Sequence, residues 1–94
     1  MKYLFPFAKY KVEGKSMEPA LKMGDNVLIS KIGKIKNGDI VIYSASERDY
    51  IKRVKAAFGD EYFLEGDNKN FSTDSRKFGA VQRKGILGKV ILKY

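Results

Sequence analysis

Residues 38–54 read GDIVIYSASERDYIKRV, and this stretch decides the fold class. It contains two short runs that are rich in Val, Ile and Tyr, separated by polar residues. β-branched and aromatic residues in runs this short are typical of strands and not of helices. Comparable apolar runs occur elsewhere in the chain, at residues 27–29, 62–64 and 89–92.

Glycine–aspartate pairs separate these runs and favour tight turns between them, at 24–25, 38–39, 59–60 and 66–67. Only residues 16–22, with Pro19 early in the segment, have the pattern of a helical turn. The sequence therefore predicts a mostly β fold, a small coiled antiparallel sheet or barrel. A chain of 94 residues has room for one such domain, so we expect a single domain over residues 1–94.

The composition excludes several classes of chemistry. The chain has no cysteine and no histidine, which rules out disulfides, thiol nucleophiles, Ser-His-Asp triads and His- or Cys-ligated metals. We expect no metal and no cofactor. If the chain is a hydrolase, its general base has to be Lys, Asp, Glu or Tyr. No stretch approaches the roughly 20 apolar residues needed to cross a bilayer.

The net charge of +8 suits a nucleic acid or an anionic lipid surface, although many small soluble domains are simply basic. The first eight residues are apolar around Pro6, and we expect them to pack on the core. The alternative is a small lip that touches a membrane or a substrate. These expectations place the protein in the cytoplasm or peripherally at a membrane.

Ser16 is a candidate nucleophile because it precedes a proline-containing turn. A serine in such a place presents its hydroxyl and its own backbone N–H together, so that one residue supplies a nucleophile and an oxyanion donor. The alternative is that Ser16 caps a helical turn.

Lys52 is a candidate base because strand alternation puts it on one face with Tyr50 and Val54. A lysine held against apolar surface loses solvation, and its pKa falls toward a value useful for a base. The alternative is an amphipathic lysine that extends along a strand edge to reach water.

A dense polar loop, residues 66–76, is the third candidate segment. Asp74 and Arg76 are close enough in sequence to pair, and Arg53 could join them, while Ser72 can donate to or accept from a neighbour. The alternative is an ordinary solvated turn, although polar loops between apolar strands often carry function.

Taken together, these segments resemble the type I signal peptidase family of Ser/Lys endopeptidases. The resemblance rests on the ordered set Val12-x-Gly14-x-Ser16-Met17-x-Pro19, Tyr50-Ile51-Lys52-Arg53-Val54, Gly66-Asp67-Asn68 and Ser72-x-Asp74-Ser75-Arg76. Flanking glycine–aspartate pairs and Gly88-Lys89-Val90 extend it over residues 12–91. Each piece alone is weak, but the ordered set is specific.

The resemblance implies a fold of coiled antiparallel sheets and a role for each matching residue. Ser16 would be the nucleophile and an oxyanion donor, Lys52 the general base, and Ser72 the group that orients the lysine. A charged cluster behind these residues would hold the loop in place; the cluster consists of Arg53, Asp74 and Arg76. Residues 66–68 would be structural scaffold. The substrate would be a peptide or preprotein cut after a small residue, contacting Gly14, Met17 and Tyr50.

The chain departs from the family in three respects. Gly14 stands where many members have a Ser or Thr that donates to the oxyanion, and Ala20 stands where Thr is usual. The anchoring helices and the large inserted domain of membrane signal peptidases are missing. The chain therefore resembles the compact soluble branch, which includes the proteases that mature nickel-type superoxide dismutase; the alternative is a core excised from a longer membrane protein.

Two other functions compete with this one. A self-cleaving repressor-type domain shares the Ser and Lys segments, but it needs a scissile Ala-Gly or Cys-Gly pair upstream of the serine, and the chain has neither. A basic β-barrel that binds nucleic acid fits the charge and the 13% aromatic content. Its charges, however, are spread along the chain, so we do not expect a nucleic-acid partner. The oligomeric state is left open.

Overall fold

The computed structural model describes residues 6–94, and its seven strands form one antiparallel sheet in the order β1-β2-β7-β3-β4-β5-β6. The expectation for the first eight residues falls mainly on residues 1–5, which lie outside the described residues. The mostly β fold predicted from the sequence is confirmed. The strands are β1 Phe7–Lys11, β2 Asn26–Ser30, β3 Ile40–Ala45, β4 Arg48–Phe58, β5 Glu61–Glu65, β6 Val81–Gln82 and β7 Ile86–Lys93.

The sequence predicts a helical turn at residues 16–22. There, residues 16–20 form turns, and Leu21 N donates to the Met17 carbonyl at 2.9 Å, the i to i+4 hydrogen bond of a single helical turn. The short helices of the described residues lie in the second half of the chain, α1 at Ser75–Phe78 and 3-10 turns at Lys69–Phe71 and Arg83–Gly85, and the sequence does not mark them. Asp74 caps α1, because its side chain accepts a hydrogen bond from the Arg76 N–H, and aspartate is one of the residues preferred at this position. Within residues 6–94, no helix has the length and apolar character to cross a membrane.

The core has two parts because both faces of the central β3–β4 ladder are buried. Ile42 is paired with Ile51 across this ladder, and both belong to a cluster with Val12, Met17, Leu21, Val27 and Ile29. The next pair, Val41 and Lys52, points to the other face. Val41 belongs to the second cluster, which also contains Ile35, Val54, Tyr62, Leu64, Val81 and Ile86.

The β3–β4 hairpin turns on two residues that the sequence does not mark as a turn. Ala45 is paired with Arg48, and the intervening Ser46 and Glu47 have φ of 52° and 67°. Two successive residues in the left-handed region match the right-handed twist of the flanking strands. Glycine is the usual residue at the second position, and a glutamate there is strained.

We expect Glu47→Gly to raise the free energy of unfolding by about 0.5–1 kcal/mol, because glycine adopts this φ without steric cost. The matched control is Glu61→Gly, an exposed glutamate in extended β5, which should lower stability by a similar amount. Thermal unfolding would resolve both changes, since 1 kcal/mol moves Tm by about 4–8 °C in a domain of this size. A fall in Tm for both variants would contradict the strain at Glu47.

Candidate active site

Ser16 is held between strand β4 and the loop that follows β5. It is 9% exposed, and its hydroxyl donates to the Ile51 carbonyl at 3.3 Å. Its own carbonyl accepts from the Asn68 N–H at 2.8 Å. Gly14, with φ of 78°, turns the chain just before it. Within the described part of the chain, the Ser16 N–H donates to no protein acceptor.

Lys52 is a buried lysine in the middle of a strand. It is 4% exposed and lies on the same face of the β3–β4 ladder as Val41 and Val54. Burial lowers the pKa of Lys52; the charge of Asp74 acts in the opposite direction, while Arg76 and Arg48 lower it further. Among residues 6–94, its Nζ makes no hydrogen bond and no ion pair, and lies 5.9 Å from the centre of the Tyr50 ring. Such a lysine is biased toward its neutral form.

One cavity of about 600 Å³ brings the two candidate residues together. Ser16 lies on one wall, and Lys52 follows on strand β4 directly after the residue whose carbonyl Ser16 contacts. The expected substrate contacts Gly14 and Tyr50 line the same space. Its other lining residues are Tyr10, Glu13, Lys15, Glu47, Arg48, Asp49, Ile51, Phe71 and Thr73.

Ser72 and Arg76 both bind the buried carboxylate of Asp74. The Ser72 hydroxyl donates to Asp74 Oδ2 at 2.5 Å, and Arg76 Nε donates to Oδ1 at 2.9 Å. Burial would raise the pKa of Asp74, but the hydrogen bonds from Arg76, Ser72 and the Gly66 N–H outweigh it and hold the pKa well below its usual range. The Ser72 hydroxyl is therefore engaged by Asp74, and the predicted contact with Lys52 is not among the hydrogen bonds of the described residues.

Gly66 joins this network to the backbone of Ser16 by close packing. Its N–H donates to Asp74 Oδ2 at 2.9 Å and to Ser72 Oγ at 3.2 Å. A Cβ at this position would lie 2.6 Å from the Ser16 carbonyl oxygen and 2.6 Å from Ser72 Cβ. Only glycine fits, so the absence of a side chain at 66 sets how closely Ser16 and Ser72 approach.

Arg53 lies apart from the Asp74 cluster, contrary to the sequence-based expectation. It binds Asp67 in a bidentate pair, at 2.9 Å and 2.8 Å, and its third nitrogen donates to the Gly38 carbonyl at 2.8 Å. The reason is strand alternation, because Arg53 and Lys52 point to opposite faces of β4. Arg53 therefore connects the loop after β5, through Asp67, to the turn before β3, through the Gly38 carbonyl.

A model of the Peptidase S24-like family matches residues 7–91, which is most of the chain. The chain belongs to the Peptidase S24-like family. The peptidase is similar to signal peptidase I of Bacillus caldolyticus, 29% identical over 147 aligned positions that cover 97% of this chain and 81% of that protein. Signal peptidase IB of Staphylococcus aureus strains Mu50 and N315 is 24% identical over 150 aligned positions that cover 96% of this chain and 78% of that protein.

These matches confirm the predicted likeness to type I signal peptidases and make the chain a serine peptidase. The alignments are longer than the 94 residues of this chain, so the relatives carry additional residues between the matched segments. The narrower likeness to the proteases that mature nickel-type superoxide dismutase stays a prediction.

Sequence reasoning placed some residues of this peptidase differently from the structure. Met17, expected at the substrate, is 1% exposed in the first core cluster and does not line the cavity. Conversely, Phe71 and Thr73 line the cavity and were not singled out. Phe71 is 62% exposed, and an exposed aromatic residue in a polar loop is the signal that could have marked it.

We expect Lys52→Met to stabilise the peptidase by on the order of 1 kcal/mol, because it replaces a buried charge with an apolar chain of similar length. The advantage should be full at pH values below the lowered pKa of Lys52. It should shrink as the pH rises toward the ordinary value of 10.5, because the folded protein then holds fewer protons than the unfolded chain.

Urea unfolding across this pH range measures the difference between the two proteins. Lys55→Met, an exposed lysine on the same strand, is the matched control and should change stability by less than about 0.5 kcal/mol. Equal stability of wild type and Lys52→Met at every pH would mean that burial does not destabilise the charged lysine.

Proposed function

We propose that the chain is an endopeptidase in which Ser16 is the nucleophile and Lys52 the general base. The observation that carries this proposal is the lysine itself: it is 4% exposed, makes no ion pair and no hydrogen bond among the described residues, and lines the same cavity as Ser16. A structural lysine would be paired or would reach water. A base in a chain without histidine needs a lowered pKa, and burial supplies it.

The proposed reaction has two steps, each with one proton transfer through Lys52. The Ser16 hydroxyl turns from the Ile51 carbonyl toward Lys52, and neutral Nζ takes its proton as Oγ attacks the peptide carbonyl carbon. The oxyanion accepts from the Ser16 N–H. Protonated Lys52 then delivers the proton to the leaving amine as the C–N bond breaks, leaving an acyl-enzyme. Water attacks the ester, gives a proton to Lys52, and Oγ recovers it.

A substrate strand can pair with the part of β4 that faces the cavity. Val54 exchanges backbone hydrogen bonds with the turn at 38–39, so the alternate residues Asp49 and Ile51 direct their backbone groups away from β3. β5 pairs with β4 only from Arg53 onward, which leaves 48–52 unpaired on that side among the described strands. We propose that an extended peptide adds a strand here, between 49–52 and 10–15, with the residues before the cut lying along them.

The substrate we propose is a preprotein or proprotein whose N-terminal signal or propeptide is removed by a cut after a small residue. The support is the likeness to proteins named signal peptidase I and signal peptidase IB. Ser72, Asp74 and Arg76 would act as positioning residues, because their network packs on the Ser16 carbonyl through Gly66.

We expect wild-type protein to cut members of a mixed peptide library after Ala or another small residue, with cut sites mapped by mass spectrometry. Ser16→Ala should lose at least about 10³-fold in kcat/KM, and Lys52→Met about 10²–10⁴-fold. Ser44→Ala and Lys55→Met are matched controls outside the cavity and should cut at the wild-type rate. Cleavage by Ser16→Ala at that rate would refute the proposed function.

The pH dependence tests the base separately. Below the pKa of Lys52, kcat/KM should rise about tenfold per pH unit as Nζ loses its proton, and then level off. Arg48 is one of the charges that lower this pKa, so Arg48→Gln should move the rise to higher pH. Lys84→Gln, on an exposed residue that does not line the cavity, should leave the profile in place. A rate that is flat from about pH 6 to 9, with chemistry limiting, would exclude Lys52 as the base.

A further inference from the structure

Phe71 presents a large apolar side chain in the cavity that Ser16 also lines. Its ring is exposed, and it belongs neither to the two core clusters nor to the partly buried residues packed against them. The other exposed phenylalanines of residues 6–94 do not line this cavity; they are Phe7, Phe58 and Phe78. A single exposed apolar residue is ordinary on a protein surface, so the surroundings of Phe71 decide what its ring can do.

The backbone that carries Phe71 is fixed relative to Ser16. The Phe71 N–H donates to the Asn68 carbonyl at 3.0 Å, and the Asn68 N–H donates to the Ser16 carbonyl at 2.8 Å. Arg76 Nη2 holds the same 3-10 turn by donating to the Lys69 carbonyl at 3.1 Å. The ring is therefore presented to the cavity from a fixed backbone, which is the arrangement that a selective contact with a ligand requires.

One contact places the ring beside the nucleophile. Lys15 directly precedes Ser16, and its Nζ lies 5.8 Å from the centre of the Phe71 ring, within the range of a cation–π contact. The segment before Ser16 and the loop after β5 thus meet at this ring. Since Phe71 stays 62% exposed, most of its apolar surface is open to an occupant of the cavity.

The strand pairing places the loop that carries Phe71 at one end of the open edge of β4. β5 pairs with β4 from Arg53 onward, and this loop follows β5 directly. The open stretch ends at Lys52, which is buried, has no hydrogen bond among residues 6–94 and lines the same cavity. A peptide strand laid along 49–52 would lie in line with β5, so the chain beyond the cut would pass this loop.

We propose that Phe71 binds a bulky apolar side chain of the substrate, aliphatic or aromatic, one to three residues after the cut. This inference rests on the proposed function, which defines the cut and lays the residues before it along 49–52. Contact between the ring and such a side chain removes apolar surface of both from water, which favours binding. A polar side chain of the same size gains less, because its own polar group loses water.

Binding to Ser16→Ala separates this preference from turnover. The probes are fluorescein-labelled peptides with one Ala as the small residue in a background of Gln and Thr, identical except for Leu or Asn at the first, second or third position after Ala. At one of these positions, fluorescence anisotropy should give a Kd for the Leu peptide about three- to tenfold below that of the Asn peptide. The preference should persist in high salt, because it does not depend on charge.

Adding Phe71→Ala should abolish the difference between the Leu and Asn peptides, and Phe71→Leu should keep part of it, because leucine retains apolar surface. Phe58→Ala is the matched control, since Phe58 is an exposed phenylalanine at the end of β4 outside the cavity; the preference should persist. Equal Kd values for Leu and Asn at all three positions, or no binding of either peptide, would overturn the inference.

Two further comparisons distinguish a substrate contact from a structural role of the ring. If Phe71 only supports the loop beside Ser16, Phe71→Ala will weaken the Leu and Asn peptides by the same factor, and the inference fails. With Leu moved to the second position before Ala, Phe71→Ala should leave the difference between Leu and Asn unchanged. A dependence on Phe71 at that position, and not after Ala, would contradict the side of the cut that we propose.

Cleavage by wild type keeps the two failures apart. Peptides that are cut after Ala without any preference for Leu beyond the cut would overturn this inference and leave the proposed function standing. If binding to Ser16→Ala shows the Leu preference and wild type cuts no peptide, the proposed function fails and Phe71 stands as part of a peptide-binding site. In cleavage, the preference should appear in KM and not in kcat.

Discussion

The burial of Lys52 in the middle of β4 is the constraint on which the site depends. Both faces of the β3–β4 ladder are covered by core residues, so a side chain at this position has no route to bulk solvent except through the cavity. Removing a lysine from water destabilises the charged form, and the charge of Asp74 offsets this only in part. The fold therefore holds an amine of lowered pKa in the cavity that Ser16 also lines, at a cost in stability that is common at functional sites.

Gly66 connects Ser16 to the hydrogen-bond network of Ser72 and Asp74. Its N–H donates to both Ser72 and Asp74. Because it has no side chain, the Ser16 carbonyl can pack closely against it. The Asp74 carboxylate accepts most hydrogen bonds of this region, and these bonds favour its ionised form. Arg76 forms the ion pair with it. The position of Ser16 thus depends on a loop about fifty residues further along the chain. Arg53 and Asp67 fix that loop from its other side.

The strand positions could be read from the sequence because β-propensity and glycine–aspartate turns are local properties. β2, β3, β4, β5 and β7 fall on the predicted apolar runs. β1 and β6 carry weaker signals, since β1 alternates with lysines at the sheet edge and β6 has only two residues. The turn at Ser46 and Glu47 was hidden because neither residue is typical of left-handed backbone. The helical turn expected at 16–22 is present as a single turn, in which Leu21 N donates to the Met17 carbonyl, because Pro19 favours the start of such a turn.

The sequence by itself determined which chemistry is available: a chain without cysteine or histidine, a serine before a proline turn, and a lysine among apolar strand residues. It also carried the family likeness, because the order and spacing of those segments are linear properties. Only the tertiary structure decided that Arg53 pairs with Asp67, that Met17 belongs to the core, and that Glu13 and Asp49 line one cavity with Ser16. These outcomes depend on which strand faces meet across the sheet, and residues distant in sequence acquire that relation only when the chain packs.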